Sequence, residues 1–175
     1  GKIEAGVYQN IVSAGCREKA FAWTEQFVEE YAPFLEADIR QDCKTMALAL
    51  ISFNRSNYDQ AIQLITEQRF FNVLIQINAR VILAKAWFEK FVQDLDCYDL
   101  LVYQLDSNEK FIRRNSVISG PKKEETLNFF IAVRHVAGLF IENKPASFIR
   151  SRLGKNMGAD QRMVSRDWLQ LKIDQ

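Results

Sequence analysis

Cys43, Met46, Ala47, Leu50 and Ile51 recur at spacings of three and four residues. That period lays one apolar stripe along an α-helix, whereas a strand changes face at every residue. Leu48, Ala49 and Phe53 widen the stripe, so the helix needs neighbours on more than one side. Arg55, Ser56 and Asn57 then interrupt it. Asn57 is placed to accept from the first N–H groups of a following helix, with Gln60 three residues on as in a capping box. Tyr58, Ala61, Ile62 and Ile65 form a second stripe, and the small Ala61 allows two helices to approach closely. Residues 40–68 thus predict two antiparallel helices joined at 54–57.

The same grammar returns on either side. Phe21, Tyr58 and Tyr98 occupy equivalent places, 37 and 40 residues apart. Helix-pair repeats fall in this range, ~34 residues for tetratricopeptide and about 40–47 for HEAT-type repeats. Thr24 and Leu101 stand where the central pair has Ala61, so the repeats are degenerate. The chain resembles tetratricopeptide-like proteins through Leu48, Ala49, Tyr58, Ala61 and Ile65, which match that motif's leucine, small, aromatic, alanine and large apolar positions; its closing proline is missing.

A narrower resemblance rests on four stretches in order. They are VYQNIVSAGCREKAFAWTEQFVEEYAPFL, the central pair, FIRRNSVISGPKKEETLNF and SRDWLQLKI. Together they are similar to an uncharacterised, tetratricopeptide-like bacterial family common in Bacteroidetes. The resemblance implies an all-α fold, a right-handed α-solenoid of antiparallel helix pairs, and no activity or ligand. It also implies one repeat domain over residues 1–175 that forms the C-terminal part of a longer solenoid.

Taken in order, the periodicity predicts roughly nine helices, at 4–17, 19–31, 37–54, 58–67, 72–92, 97–113, 121–142, 146–154 and from 166 onward. Gly15 is read as a point of close packing, and Phe21, Thr24, Phe27, Val28 and Tyr31 as inward. Pro33 is read as ending the second helix. The helix at 72–92 carries two stripes, one of Leu74, Ile77, Val81, Ala84, Phe88 and Phe91 and one of Ile75, Ala79, Ile82, Ala86 and Trp87, and is expected to be the most buried. Pro121 suits a first helical position. Residues 154–162 read as a mobile loop, and Ser165 as the cap of the last helix.

Composition excludes several classes. With 48% apolar residues, 3 Pro and 7 Gly, the chain is not disordered. No apolar run approaches the ~18 residues of a membrane span, and the first residues lack the apolar core of a signal peptide. Cys16, Cys43 and Cys97 are widely spaced, with no C-x-x-C, and read as free packing thiols of a cytoplasmic protein. Residues 110–175 hold 13 Lys and Arg against 6 Asp and Glu, while 1–109 hold 10 against 16. The aromatics lie on apolar stripes rather than among basic residues, so nucleic acid is not the expected partner.

Catalytic patterns do not emerge. His135 is the single histidine, between Val133 and Val136, without metal-ligand spacing. Glu29-Glu30 and Glu124-Glu125 are adjacent residues and point about 100° apart on a helix, as solvated charges do. No phosphate-binding glycine loop or cofactor motif is present; 154–158 lacks that spacing. The expectation is a non-catalytic protein- or peptide-binding or scaffolding module that takes an unknown protein or peptide on a concave surface. Its groove is expected from the first helix of each pair, at Gln9, Ser13, Arg17, Met46, Leu50 and Asn54. The alternative is an enzyme or anion-binding protein with a pocket near Arg113, Arg114 and Arg134.

Overall fold

The periodicity of three and four is realised throughout. A computed structural model describes residues 1–156 and 161–175. Among these the chain is all-helical, without strands. The α-helices are α1 (Ala5–Arg17), α2 (Phe21–Tyr31), α3 (Arg40–Asn54), α4 (Tyr58–Glu67), α5 (Val73–Gln93), α6 (Tyr98–Arg114), α7 (Gly120–Ile141), α8 (Ala146–Asn156) and α9 (Arg166–Asp174). Contacts cluster into two compact units, 1–89 and 90–175, which divide inside α5.

In the first unit α1 packs on both α2 and α3, α2 packs on α3, and α3 on α4. Tyr8, Val12, Phe27, Val28, Cys43, Ala47, Ile51 and Ile65 share one core with Ile75, Ala79, Ile82 and Leu83 of α5. Where α1 meets α2, Gly15 faces Thr24: a Cβ on Gly15 would stand 2.1 Å from Thr24 Oγ1. Thr24 is fully buried and its hydroxyl donates to the Ala20 carbonyl at 2.8 Å. Ala61 is likewise fully buried.

Polar contacts fix the ends. Asn57 accepts from Gln60 N at 3.3 Å and caps α4. A Ser, Thr, Asn or Asp in this place stabilises a helix by about 0.5–2 kcal/mol relative to Ala. The buried Asp42 carboxylate accepts from Phe71 N at 2.8 Å, Asn72 N at 2.7 Å and Gln68 Nε2 at 3.1 Å, holding the turn between α4 and α5. Asn72 in turn accepts from Leu74 N and Ile75 N at the start of α5. Arg55 pairs bidentately with Glu25 and lies over the Phe21 ring, and Lys44 pairs with Glu29, so both ends of α3 grip α2.

In the second unit α6 packs on α7, and α8 and α9 pack on each other and on α7. Phe91, Leu101, Leu105, Ile112, Phe129, Phe130, Val133, Val136, Ile149 and Leu169 are among its buried apolar residues. Pro121 occupies the first turn of α7, where its missing N–H costs nothing.

Several expectations are corrected. α3 starts at Arg40 rather than 37, because Ala32–Phe34 forms a 3₁₀ turn and Arg40 donates back to the Pro33 and Leu35 carbonyls. Tyr31 is exposed, not inward. On α5, Ile77, Phe88 and Phe91 are buried, but Leu74 is exposed and Val81 and Trp87 are half-buried, so neither stripe is covered along its whole length. Gly154 does not end α8, which continues to Asn156; the remainder of the expected loop includes 157–160, outside the described residues. Ser165 sits in the left-handed region at φ 54° and its side chain makes no cap.

Candidate binding surfaces

Two neighbouring helices carry the six residues expected to line a groove. Because α1 packs on α3, the row Gln9, Ser13, Arg17 and the row Met46, Leu50, Asn54 come from adjoining helices. Gln9 Nε2 donates to the Cys43 carbonyl at 3.2 Å, which ties the two helices together. Arg17 and Asn54 are exposed, and Ser13 and Leu50 half-buried. Met46 is a correction: at 6% exposure it belongs to the core and presents nothing to a partner. It shares the buried stripe of Cys43 and Ala47. Asn54 spends its amide on the Leu50 carbonyl at 2.8 Å. Ser13, Arg17 and Leu50 are therefore the side chains with most freedom to contact a ligand.

The arginine cluster is differently built. Arg134 on α7 donates to Glu109 Oε1 at 2.6 Å and lies 2.6 Å from Asp106 Oδ1, both on α6. Arg113 lies 3.6 Å from Glu109. Burial alone would lower the Arg134 pKa, but these two carboxylates hold it above the ordinary guanidinium value. Arg134 thus clamps α6 to α7, and two carboxylates already answer its charge. Beside it a shallow hollow of about 360 Å³ is lined by Ile131, Arg134, His135, Gly138, Leu139 and Glu142. Arg114 is exposed at the end of α6.

A second hollow, of about 250 Å³, lies at α8 and α9, with Arg150, Leu153, Met163, Arg166 and Leu169 among its walls. Arg150 Nε is 3.3 Å from Asp174, and Arg166 donates to the Gln161 carbonyl at 2.5 Å. Sequence reasoning had no signal for it, because its walls come from separate elements and share no periodic pattern.

Among the described residues no group of three or more His, Cys, Asp or Glu is placed to hold a metal ion. Cys16 and Cys43 are buried and Cys97 half-buried, all as free thiols. Burial pushes the Cys16 thiol up to about 11 and raises Cys43 as well, which keeps both protonated and poorly nucleophilic. No helix among the described residues is long and apolar enough to cross a membrane. Compared with known family models, curated proteins and solved structures, the chain matches none.

Proposed function

We propose that this chain is a non-catalytic binding or scaffolding module of the tetratricopeptide-like kind, a right-handed stack of helix pairs working in the cytoplasm. A protein or peptide is its ligand, received along the α1–α3 strip at Ser13, Arg17 and Leu50. The observation that carries this reading is the triangle of α1, α2 and α3. The first helix of one pair lies beside the first helix of the next, while α2 touches both. Stacked pairs present first helices side by side in this way, as a ready-made surface that needs no ordering when a ligand arrives. The three free thiols, two of them in the core, suit a reducing compartment.

The test is capture from native lysate on the immobilised chain, side by side with an Arg17→Glu/Leu50→Asp variant. Arg17 is exposed and Leu50 partly buried, so circular dichroism must first show that the variant keeps the fold. A protein held by the wild type and released by the variant supports the strip. An identical set held by both refutes it.

A further inference from the structure

On α2 and the turn after it, four rings stand in one row. Trp23 stacks on Phe27 at 5.7 Å between centroids, Phe27 on Tyr31 at 4.7 Å, and Tyr31 meets Phe34 at 6.0 Å. Only Phe27 is buried, and it is anchored from beneath by Tyr8 at 5.4 Å. Trp23, Tyr31 and Phe34 are 54%, 43% and 48% exposed. The row runs about 16 Å along the helix direction, roughly three turns. Three large rings in line on a surface are more than the scattered apolar residues that any soluble protein shows.

The segment that carries the row is rich in carboxylates. Residues 21–38 contain five carboxylates and no Lys or Arg. Glu25, Glu29 and Glu36 are answered by Arg55, Lys44 and Lys2. Arg40 donates to the Pro33 and Leu35 carbonyls just beyond α2. Among the described residues Glu30 has no ion pair: it accepts from the neutral Gln26 amide at 2.7 Å. It lies on the same side of α2 as Trp23 and Phe27, seven and three residues away. It also sits in the last turn of α2, which holds no basic residue. An exposed carboxylate and open ring faces favour the same visitor, a cation carried on an apolar body.

The geometry points to the Trp23–Phe27–Tyr31–Phe34 row as a docking strip for a basic amphipathic helix of another protein. Its Lys or Arg would reach Glu30 and the rings of Trp23 and Tyr31, while its apolar side chains cover the row. This surface is separate from the Ser13, Arg17 and Leu50 strip and does not depend on it.

The experiment uses the whole chain and a fluorescein-labelled amphipathic helix of Leu and Lys, about four turns long. The counterpart peptide has Glu at every Lys. Anisotropy titrations should show the Lys peptide binding, more weakly as salt rises, and the Glu peptide not binding. Trp23→Ser/Tyr31→Ser and Glu30→Lys should each weaken binding roughly tenfold or more. Arg17→Glu/Leu50→Asp should leave it unchanged. All these side chains are at least partly exposed, and circular dichroism checks that each variant is folded. Equal binding of both peptides overturns the proposal, as does indifference to the row substitutions. So does sedimentation showing that the row is covered by a second copy of the chain in the absence of peptide.

Discussion

Gly15→Ala adds one methyl group at the tightest point between α1 and α2. The new carbon would lie 2.1 Å from Thr24 Oγ1 and 3.2 Å from both Thr24 Cβ and Cγ2. Ordinary contact is near 3.5 Å or more, so the helices must separate by over an ångström or Thr24 must turn. Turning Thr24 sacrifices its bond to the Ala20 carbonyl, and its own methyl competes for the vacated space. Separation loosens Tyr8, Val12, Phe27 and Val28, which pack around the crossing. Overpacking of this kind costs about 1–3 kcal/mol. Removing a glycine from a helix returns at most about 1 kcal/mol. Given the depth of the overlap, the expected net loss is ~1–2 kcal/mol, read from urea unfolding followed by circular dichroism. Gly6 supplies the control within the same helix. A Cβ there meets nothing within 4 Å, so Gly6→Ala should be neutral or slightly stabilising. In the Gly15→Ala/Thr24→Ala double variant the overlap is gone, and the loss should be smaller than the two single losses added. A Gly15→Ala protein as stable as the wild type, or a strictly additive double variant, would refute the argument.

Ala61→Phe should cost about 1–3 kcal/mol, because Ala61 is fully buried; an unchanged melting temperature would show that no close contact exists there. Asp42→Asn replaces the charged acceptor of two backbone amides, so stability should fall by about 1.5–3 kcal/mol, and hydrogen exchange at Phe71 and Asn72 should accelerate first. Burial lowers the Lys85 pKa to about 8. The unfolded chain then binds more protons than the folded one between about pH 8 and 10.5, so stability from this group rises with pH across that window. Lys85→Met should stabilise at pH 7, with its advantage shrinking as pH rises through the window, followed by thermal unfolding. With a thiol reagent in native buffer, Cys97 should react first, while Cys16 and Cys43 should wait for unfolding.

What could be read beforehand depended on how far apart in the chain the interacting residues lie. Stripes, the Asn57 cap, Pro121 and the small residues Gly15 and Ala61 are local signals, and each appears in its expected place. Burial at the edge of a stripe is not local. Met46 lies in the core, while Tyr31 stays exposed at the point where the chain leaves α2 for a 3₁₀ turn. The partners of Arg134 were not legible, because Asp106 and Glu109 belong to another helix. Asp42 carried no signal in the sequence, because the amides it holds come 29 and 30 residues later. Arg134 lines a hollow but is paired with Asp106 and Glu109, and Met46 of the expected groove lies in the core.

The dependence of Asp42 on those later amides decides where the chain can be cut. A fragment that stops at the end of α4 contains every helix of the central pair, yet it leaves the carboxylate without Phe71 N and Asn72 N. Water must then stay at a site that the folded protein keeps dry, and α3 cannot settle fully against its neighbours. During synthesis the same charge keeps that side of α3 hydrated until the turn into α5 has emerged, a delay of seconds at ordinary elongation rates. The shortest piece able to complete this core therefore ends beyond Asn72, past the boundary that helix ends alone would suggest.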